Sequence, residues 1–379
     1  MSDVHRALLS CPDITSLDLR IDLLGCSEWP DRWDLPFSLH GGESYPPLKS
    51  LRLEGYRFSD NSLHEAKFPT SPMLSWCERA REWIMSGNAF KRLCQYTLTQ
   101  QQRGKINLDL WRDAMDFSRL EDLAFAADYK PSDVAFFLDR MATHLQGLKR
   151  LHLDGTTSNS TLGFLRDLNS SLTHLTVTNM DILDTGIAVK IIDPDTNTKL
   201  LASVVKSHGH SLQHLGIHTF ENLDYNTPII PAEELTTNLP KLPSLTHLTL
   251  NIRRNGTWPF EALATIASST PNLTTLDLYL DIASQYLLPY INETTTLEVF
   301  EFLRQHKTGS ALQNVTFWGG EWTRRWDGPL YFPKWMDGQK VLVKCTSEAE
   351  PGIKGACHVE RGEKYWESGD QDRYKYGYP

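Results

Sequence analysis

One arrangement of apolar and polar positions recurs along the chain. An apolar residue is followed by two polar ones, and then by two apolar residues separated by a single polar or small one. It reads LKSLRL from Leu48, LKRLHL from Leu148, LTHLTV from Leu172, LQHLGI from Leu212, LTHLTL from Leu245 and LTTLDL from Leu273. Looser copies are ITSLDL from Ile14, LEDLAF from Leu120 and LQNVTF from Leu312. Alternate side chains of a strand point to opposite faces. The fourth and sixth positions therefore share the core, and the first packs beneath them as the chain enters the strand.

Between copies the period changes from two to that of a helix. Val134 to Met141 places apolar groups at helical spacing, with Ser132 or Asp133 as a cap. Leu162 to Leu168, Leu200 to Val205, Ala262 to Ala267 and Leu297 to Leu303 read the same way. Pro243-Ser244 and Pro271-Asn272 then break the helix before the next strand. His5 to Ile14 already has this helix-to-strand grammar, so the chain is expected to start inside a repeat. Its first edge is then exposed, lidded by the few residues before it, or covered by a partner.

A strand plus a helix, repeated, cannot bury its apolar face alone, and stacking makes a continuous core. The motif and its period are those of a leucine-rich repeat. The expected fold is an α/β leucine-rich-repeat solenoid, a horseshoe with a parallel concave sheet and convex helices. The competing architecture, a doubly wound sheet, wants strands apolar on both faces, whereas here the residues between the leucines are polar. Starts are separated by 34, 72, 28, 24, 40, 33, 28 and 39 residues, so repeat lengths are irregular.

The solenoid is expected over residues 1–346, with a helical insert at about 59–118. In that insert Pro72 to Met85 and Leu108 to Met115 read as helices, and Phe90 to Leu98 as a degenerate strand that hides one repeat. Gly25 to Pro47, with Trp29 and Trp33, reads as a long loop. Trp318, Trp322, Trp326, Tyr331, Phe332 and Trp335 read as an aromatic cap over the last repeat, ending at about residue 346, with Val341 to Val343 as a last strand. Residues 347–379 are polar and Gly-rich and are expected to be a poorly ordered tail.

Motif positions three, five and seven point away from the core and form lateral columns on the expected concave face. The candidate partner-binding residues there are Arg52, Arg150, His152, Asp154, His174, His214, His218, His247, Asn251, Asp277, Tyr279 and Trp318. His174, His214 and His247 fall in one column. Imidazoles suit a metal or a pH-sensitive face, but no carboxylate or cysteine completes a metal shell at a convincing spacing. Histidine as one more polar residue on an open sheet is the simpler reading.

Composition narrows the function. A net charge of −9 argues against broad nucleic-acid binding. No apolar run reaches the length of a membrane span, and no signal peptide is expected at the N-terminus. An intracellular protein, cytoplasmic or nuclear, is expected. The six cysteines are irregularly spaced and read as incidental thiols in a reducing compartment. Sequons such as Asn159, Asn169 and Asn255 read as a by-product of Ser/Thr-rich loops. Phosphate-loop, dinucleotide, zinc-protease and serine-elbow motifs are all missing, and Arg324 and Arg325 alone make a poor phosphate site. The expected function is a non-enzymatic protein-interaction module with no cofactor. The alternatives are a metal-dependent enzyme using the histidine-rich face and a repeat-only remnant without a retained partner.

The repeat units, the segment Trp111 to Leu120 and the turn Phe317 to Trp322 resemble a family of fungal F-box/leucine-rich-repeat proteins, from about Val4 to Val343. The resemblance implies repeats that select a substrate for a ubiquitin ligase, while an F-box module binds the ligase adaptor. Three residues precede Val4, so no residue of this sequence carries the F-box role. The expectation is a repeat-only relative or a truncated chain.

Overall fold

The structure, a computed structural model, describes residues 1–21, 35–56, 58, 105–126, 131–154, 158–179, 194–219, 228–253, 257–281, 291–319, 341–347 and 355–361. They fall into two compact units. One is Met1–Leu148 with Leu168–Ser170, and the other is Lys149–Asp167 with Ser171–Pro379. Both are built from the repeat, and the fold is an α/β leucine-rich-repeat solenoid whose strands follow sequence order.

The first unit holds helix α1 (Ser2–Ser10) and parallel strands β1 (Ser16–Arg20), β2 (Ser50–Glu54) and β3 (Asp122–Ala126), with α2 (Asn107–Ala114) and α3 (Pro131–Met141). Strand register is in phase: Leu17 faces Leu51 and Leu51 faces Leu123. β2 pairs directly with β3, which leaves no place for a further strand between them. The expected hidden repeat is therefore not inserted there, and residues 59–104 lie outside the described residues. Helix α3 begins at Pro131, so Ser132 and Asp133 occupy its first turn rather than its cap. The core of this unit is aromatic. Trp111 is 1% exposed, lies edge-on to Phe37, Tyr45, Tyr56 and Phe117, and donates from Nε1 to Tyr56 Oη at 2.7 Å. That bond satisfies the indole N–H, which burial would otherwise leave at a cost.

The second unit carries six parallel strands: β4 (Arg150–Asp154), β5 (His174–Asn179), β6 (His214–Thr219), β7 (His247–Arg253), β8 (Thr275–Asp281) and β9 (Asn314–Gly319). Helices α4 (Ser158–Asp167), α5 (Thr196–His208), α6 (Ala232–Asn238), α7 (Phe260–Ser269) and α8 (Glu293–His306) connect them. The expected helices are present, and α6 is an addition. Its sequence AEELTTN has one apolar residue outside its first position, Leu235, too few to mark a period. Helix α5 buries Leu200, Leu201 and Val204, and α8 buries Val299, Phe300 and Leu303, each a stripe at helical spacing. Asn292 caps α8, its Oδ1 accepting from Thr295 N at 2.9 Å.

Two features lock every strand in phase. First, the motif apolar residues are almost wholly buried: Leu172, Leu175, Val177, Leu212, Leu215, Ile217, Leu245, Leu248, Leu250, Leu273, Leu276 and Leu278 are all at most 1% exposed. Second, the carbonyl at motif position two accepts two N–H groups from the next repeat. Thr173 O accepts from Gln213 N and His214 N, Gln213 O from Thr246 N and His247 N, and Thr246 O from Thr274 N and Thr275 N, at 2.8–3.1 Å. Threonine at position two adds its hydroxyl to the same carbonyl, as Thr246 Oγ1 does to Gln213 O at 3.0 Å.

After β9 the sheet changes direction. β10 (Val341–Thr346) runs antiparallel to β9, and β11 (Ala356–Arg361) antiparallel to β10. The expected last strand is thus present. β11 lies inside the segment expected to be a poorly ordered tail, because its alternation of exposed and half-buried residues is too short and polar to stand out in the sequence. Cys345 faces Cys357 in this register, and the two form a disulfide. This corrects the expectation of incidental thiols for that pair, since their pairing depends on a strand register that the spacing of the cysteines does not reveal. Cys11 is free and exposed. The expected loop tryptophans Trp29 and Trp33, the aromatic cap beyond Gly319 and the remaining cysteines lie outside the described residues.

Leu248→Ala is expected to cost about 2–5 kcal/mol, because Leu248 is fully buried between in-register leucines on both sides. Glu261→Ala, on the exposed face of α7, is expected to stay within about 0.5 kcal/mol. Urea denaturation of the two variants beside the parent chain measures both.

Candidate functional site

The polar positions of β4 to β9 are brought into lateral columns by the same register that buries the leucines. Column three runs Arg150, His174, His214, His247, Thr275 and Asn314. Column five runs His152, Thr176, Gly216, Thr249, Asp277 and Thr316, and column seven runs through Asp154, Thr178, His218, Tyr279 and Trp318. Neighbouring strands lie about 4.8 Å apart, which is close to the stacking distance of flat rings. Arg52 belongs to the first unit, between Asp18 and Ala124 in register, and its Nε is buried without a hydrogen-bond partner among the described residues.

The three histidines of column three form a stacked ladder. His174 and His214 have ring centroids 5.7 Å apart at an interplanar angle of 25°, and His214 and His247 are 4.0 Å apart at 24°. His247 Nε2 lies 2.7 Å from Asp277 Oδ2. Thr249 Oγ1 donates to the same carboxylate at 3.4 Å, and Thr316 also hydrogen-bonds it. His152 pairs with Asp154 on its own strand, at 3.0 Å. Stacking places the ring faces together and keeps the nitrogens from converging on one point. Among the described residues no group of three or more His, Cys, Asp or Glu side chains is placed to hold a metal ion.

Burial and neighbouring imidazoles set the charge of this ladder. Burial, followed by the charges of His247 and His174, lowers the His214 pKa to about 4, so His214 is neutral at pH 7. Asp277 is subject to opposing effects. Burial resists its ionisation, but hydrogen bonds from His247, Thr316 and Thr249, with the His247 charge, prevail and hold its carboxyl below the ordinary range. The roles of Thr249 and Thr316 were not singled out from the sequence, although aligning fifth positions across repeats puts both beside Asp277.

Column seven is an aromatic stack. His218 lies against Tyr279, with centroids 3.6 Å apart, and Tyr279 against Trp318 at 5.4 Å and 4°. His218 reaches past β7 to Tyr279 because Asn251, between them, is folded aside. Its Oδ1 accepts from Thr219 N at 2.6 Å and its Nδ2 donates to Thr219 O at 2.8 Å. Asn251 is 6% exposed and His218 is 5% exposed. Their side chains therefore support the face from within, and Tyr279 and Trp318 form its half-buried surface. Gly216 is buried between Thr176 and Thr249 in register, and the Thr176 side chain already covers it: a Cβ there would meet Thr176 Cγ2 at 3.1 Å.

His214 makes the largest contribution to the pH dependence, beside His208 and His5, whose pKa values burial also lowers. An unfolded chain takes up the His214 proton near pH 6.5 and the folded one only near pH 4. Stability is therefore complete above about pH 6.5 and falls as pH drops towards 4, where the unfolded state binds more protons. Allowing for solvent screening at the ring edge, the loss is about 1–3 kcal/mol. Asp277 adds a further loss only at lower pH, as its depressed carboxyl is protonated. His214→Gln is expected to flatten the stability profile between pH 6.5 and 4, read by denaturant midpoints at a series of pH values.

No family model matches the chain, and no curated protein matches it. Among solved structures it is similar to the leucine-rich-repeat-containing protein LegL7 from Legionella pneumophila, at 14% sequence identity and a TM-score of 0.34, over 77% of this chain and 71% of that one.

Proposed function

We propose that the chain is a non-enzymatic protein-interaction module and that the outward face of β4 to β9 is its partner-binding surface. The carrying observation is the in-register face itself. A ladder of three imidazoles adjoins the Asp277 carboxylate, and beside it lies the stacked pair Tyr279 and Trp318. Tyr and Trp are favoured as binding anchors because they supply large contact area with few rotatable bonds. Arg150, His152, Asp154 and His174 extend the polar rim on the β4 side, and Arg52 offers a comparable polar position in the first unit.

The resemblance of the repeat units to fungal F-box/leucine-rich-repeat proteins extends this reading to substrate recognition for a ubiquitin ligase, in the cytoplasm or nucleus. That extension rests on analogy alone. The stacked, non-convergent imidazoles speak against the metal-dependent enzyme. No described helix is long and apolar enough to cross a membrane.

A photo-crosslinking side chain at position 176 or 249 is expected to capture a protein from native lysate at one-to-one stoichiometry, and the same probe at position 261 on α7 is not. Replacing Tyr279 and Trp318 with serine is expected to weaken capture by about ten-fold or more. Equal labelling from positions 176 and 261, or capture indifferent to Tyr279 and Trp318, would exclude this face.

A further inference from the structure

The C-terminal strands are attached differently from the rest of the sheet. Every motif strand from β5 to β9 is held by fully buried side chains. In β11, Ala356, His358 and Glu360 are exposed, and Cys357 and Val359 are only half-buried. Its ladder with β10 is irregular at one end, where the register shifts between Leu342 and Val343. Its ion pair, Lys344 with Glu360 at 2.7 Å, is at the surface, where such pairs contribute little. Helix α8 adds two carboxylate acceptors. Glu301 accepts from Gly355 N at 2.9 Å and Glu293 from Val359 N at 3.3 Å. Gly355 itself is packed against the Phe300 ring, where a Cβ would come within 2.4 Å.

Against these weak attachments stands one covalent bond, Cys345 to Cys357, between positions 12 residues apart in sequence. The two cysteines are unequal. Cys345 is 1% exposed and sits in β10, which is held independently by β9. Cys357 is half-buried on the outer strand. A disulfide whose outer sulfur belongs to an edge strand is open to exchange with a small thiol, whereas one buried in a core is not.

We propose that the Cys345–Cys357 disulfide is a redox latch that holds β11 on the sheet, and that its reduction releases β11 and bares the edge of β10. A reductant thiolate attacks the Cys357 sulfur, forming a mixed disulfide and expelling the Cys345 thiolate. A second reductant thiol attacks the mixed disulfide at the reductant's own sulfur and frees Cys357. The two protons of the reductant thiols end on Cys345 and Cys357, and the two electrons leave the reductant as its disulfide. Cys345 stays in place because Leu342 and Val343 on the same strand remain buried against β9. The released segment stays tethered at Gly355, so reoxidation can close the latch again. In a reducing compartment the open dithiol is the resting form, and an oxidant closes it.

The test uses the full chain, oxidised and after treatment with dithiothreitol. Alkylation of denatured, unreduced protein is expected to spare Cys345 and Cys357. On reduction, amide exchange over residues 356–361 is expected to accelerate by about ten-fold or more, with β7 to β9 unchanged and protection restored on reoxidation. Cys357→Ser is expected to reproduce the open state without reductant. Alkylation of both thiols before reduction would overturn the proposal. So would unchanged exchange in β11 after reduction, or equal acceleration in β7 to β9, which would make the bond a support of the whole unit rather than a latch.

Discussion

Everything in the second unit depends on the phase lock between repeats. Each motif contributes leucines at positions one, four and six to one core, and its position-two carbonyl accepts two N–H groups from the next repeat. A slip by one residue would turn every leucine outward and every polar residue inward. The lock therefore fixes more than stability. It dictates which polar side chains stand beside each other on the opposite face, and so turns residues that are 24 to 40 positions apart in sequence into neighbours.

The face illustrates how such a constraint generates chemistry without a pocket. Imidazoles at the third position of three successive repeats are forced to stack, and burial, followed by the charges of the two neighbouring imidazoles, keeps His214 neutral at pH 7. The next repeat places Asp277 at the fifth position, within hydrogen-bond reach of His247. Asn251 shows the same constraint used inwardly. Its amide occupies the backbone of Thr219 and leaves room for His218 to lie on Tyr279. The recognition surface and its internal supports thus come from the same columns.

Much of this was legible in the sequence. The nine motif copies located β1 to β9 apart from their ends, and the column assignments placed His174, His214, His247 and Asp277 as the structure has them. That succeeds because a period-two strand inside a fixed repeat leaves only one consistent register. What was not legible depends on contacts outside the period. The amide of Asn251 is folded against Thr219 rather than presented outward, and this follows from side-chain geometry that a column cannot carry. Helix α6 lacks an apolar stripe. The pairing of Cys345 with Cys357 follows from an antiparallel register after the repeat has ended, and Trp111 in the first unit is a core residue placed by aromatic packing with no repeat to announce it.

The claim that the leucine register imposes the outward columns is tested most directly by nuclear magnetic resonance titration of the imidazoles in the folded chain. His214 can be located in the ladder by its signals' response to His174→Gln and His247→Gln. A His214 imidazole titrating near pH 4 and shifting upward when either neighbour is replaced is the predicted result. A His214 titrating near its ordinary 6.5, and indifferent to both neighbours, would contradict the stacked ladder and the register that builds it.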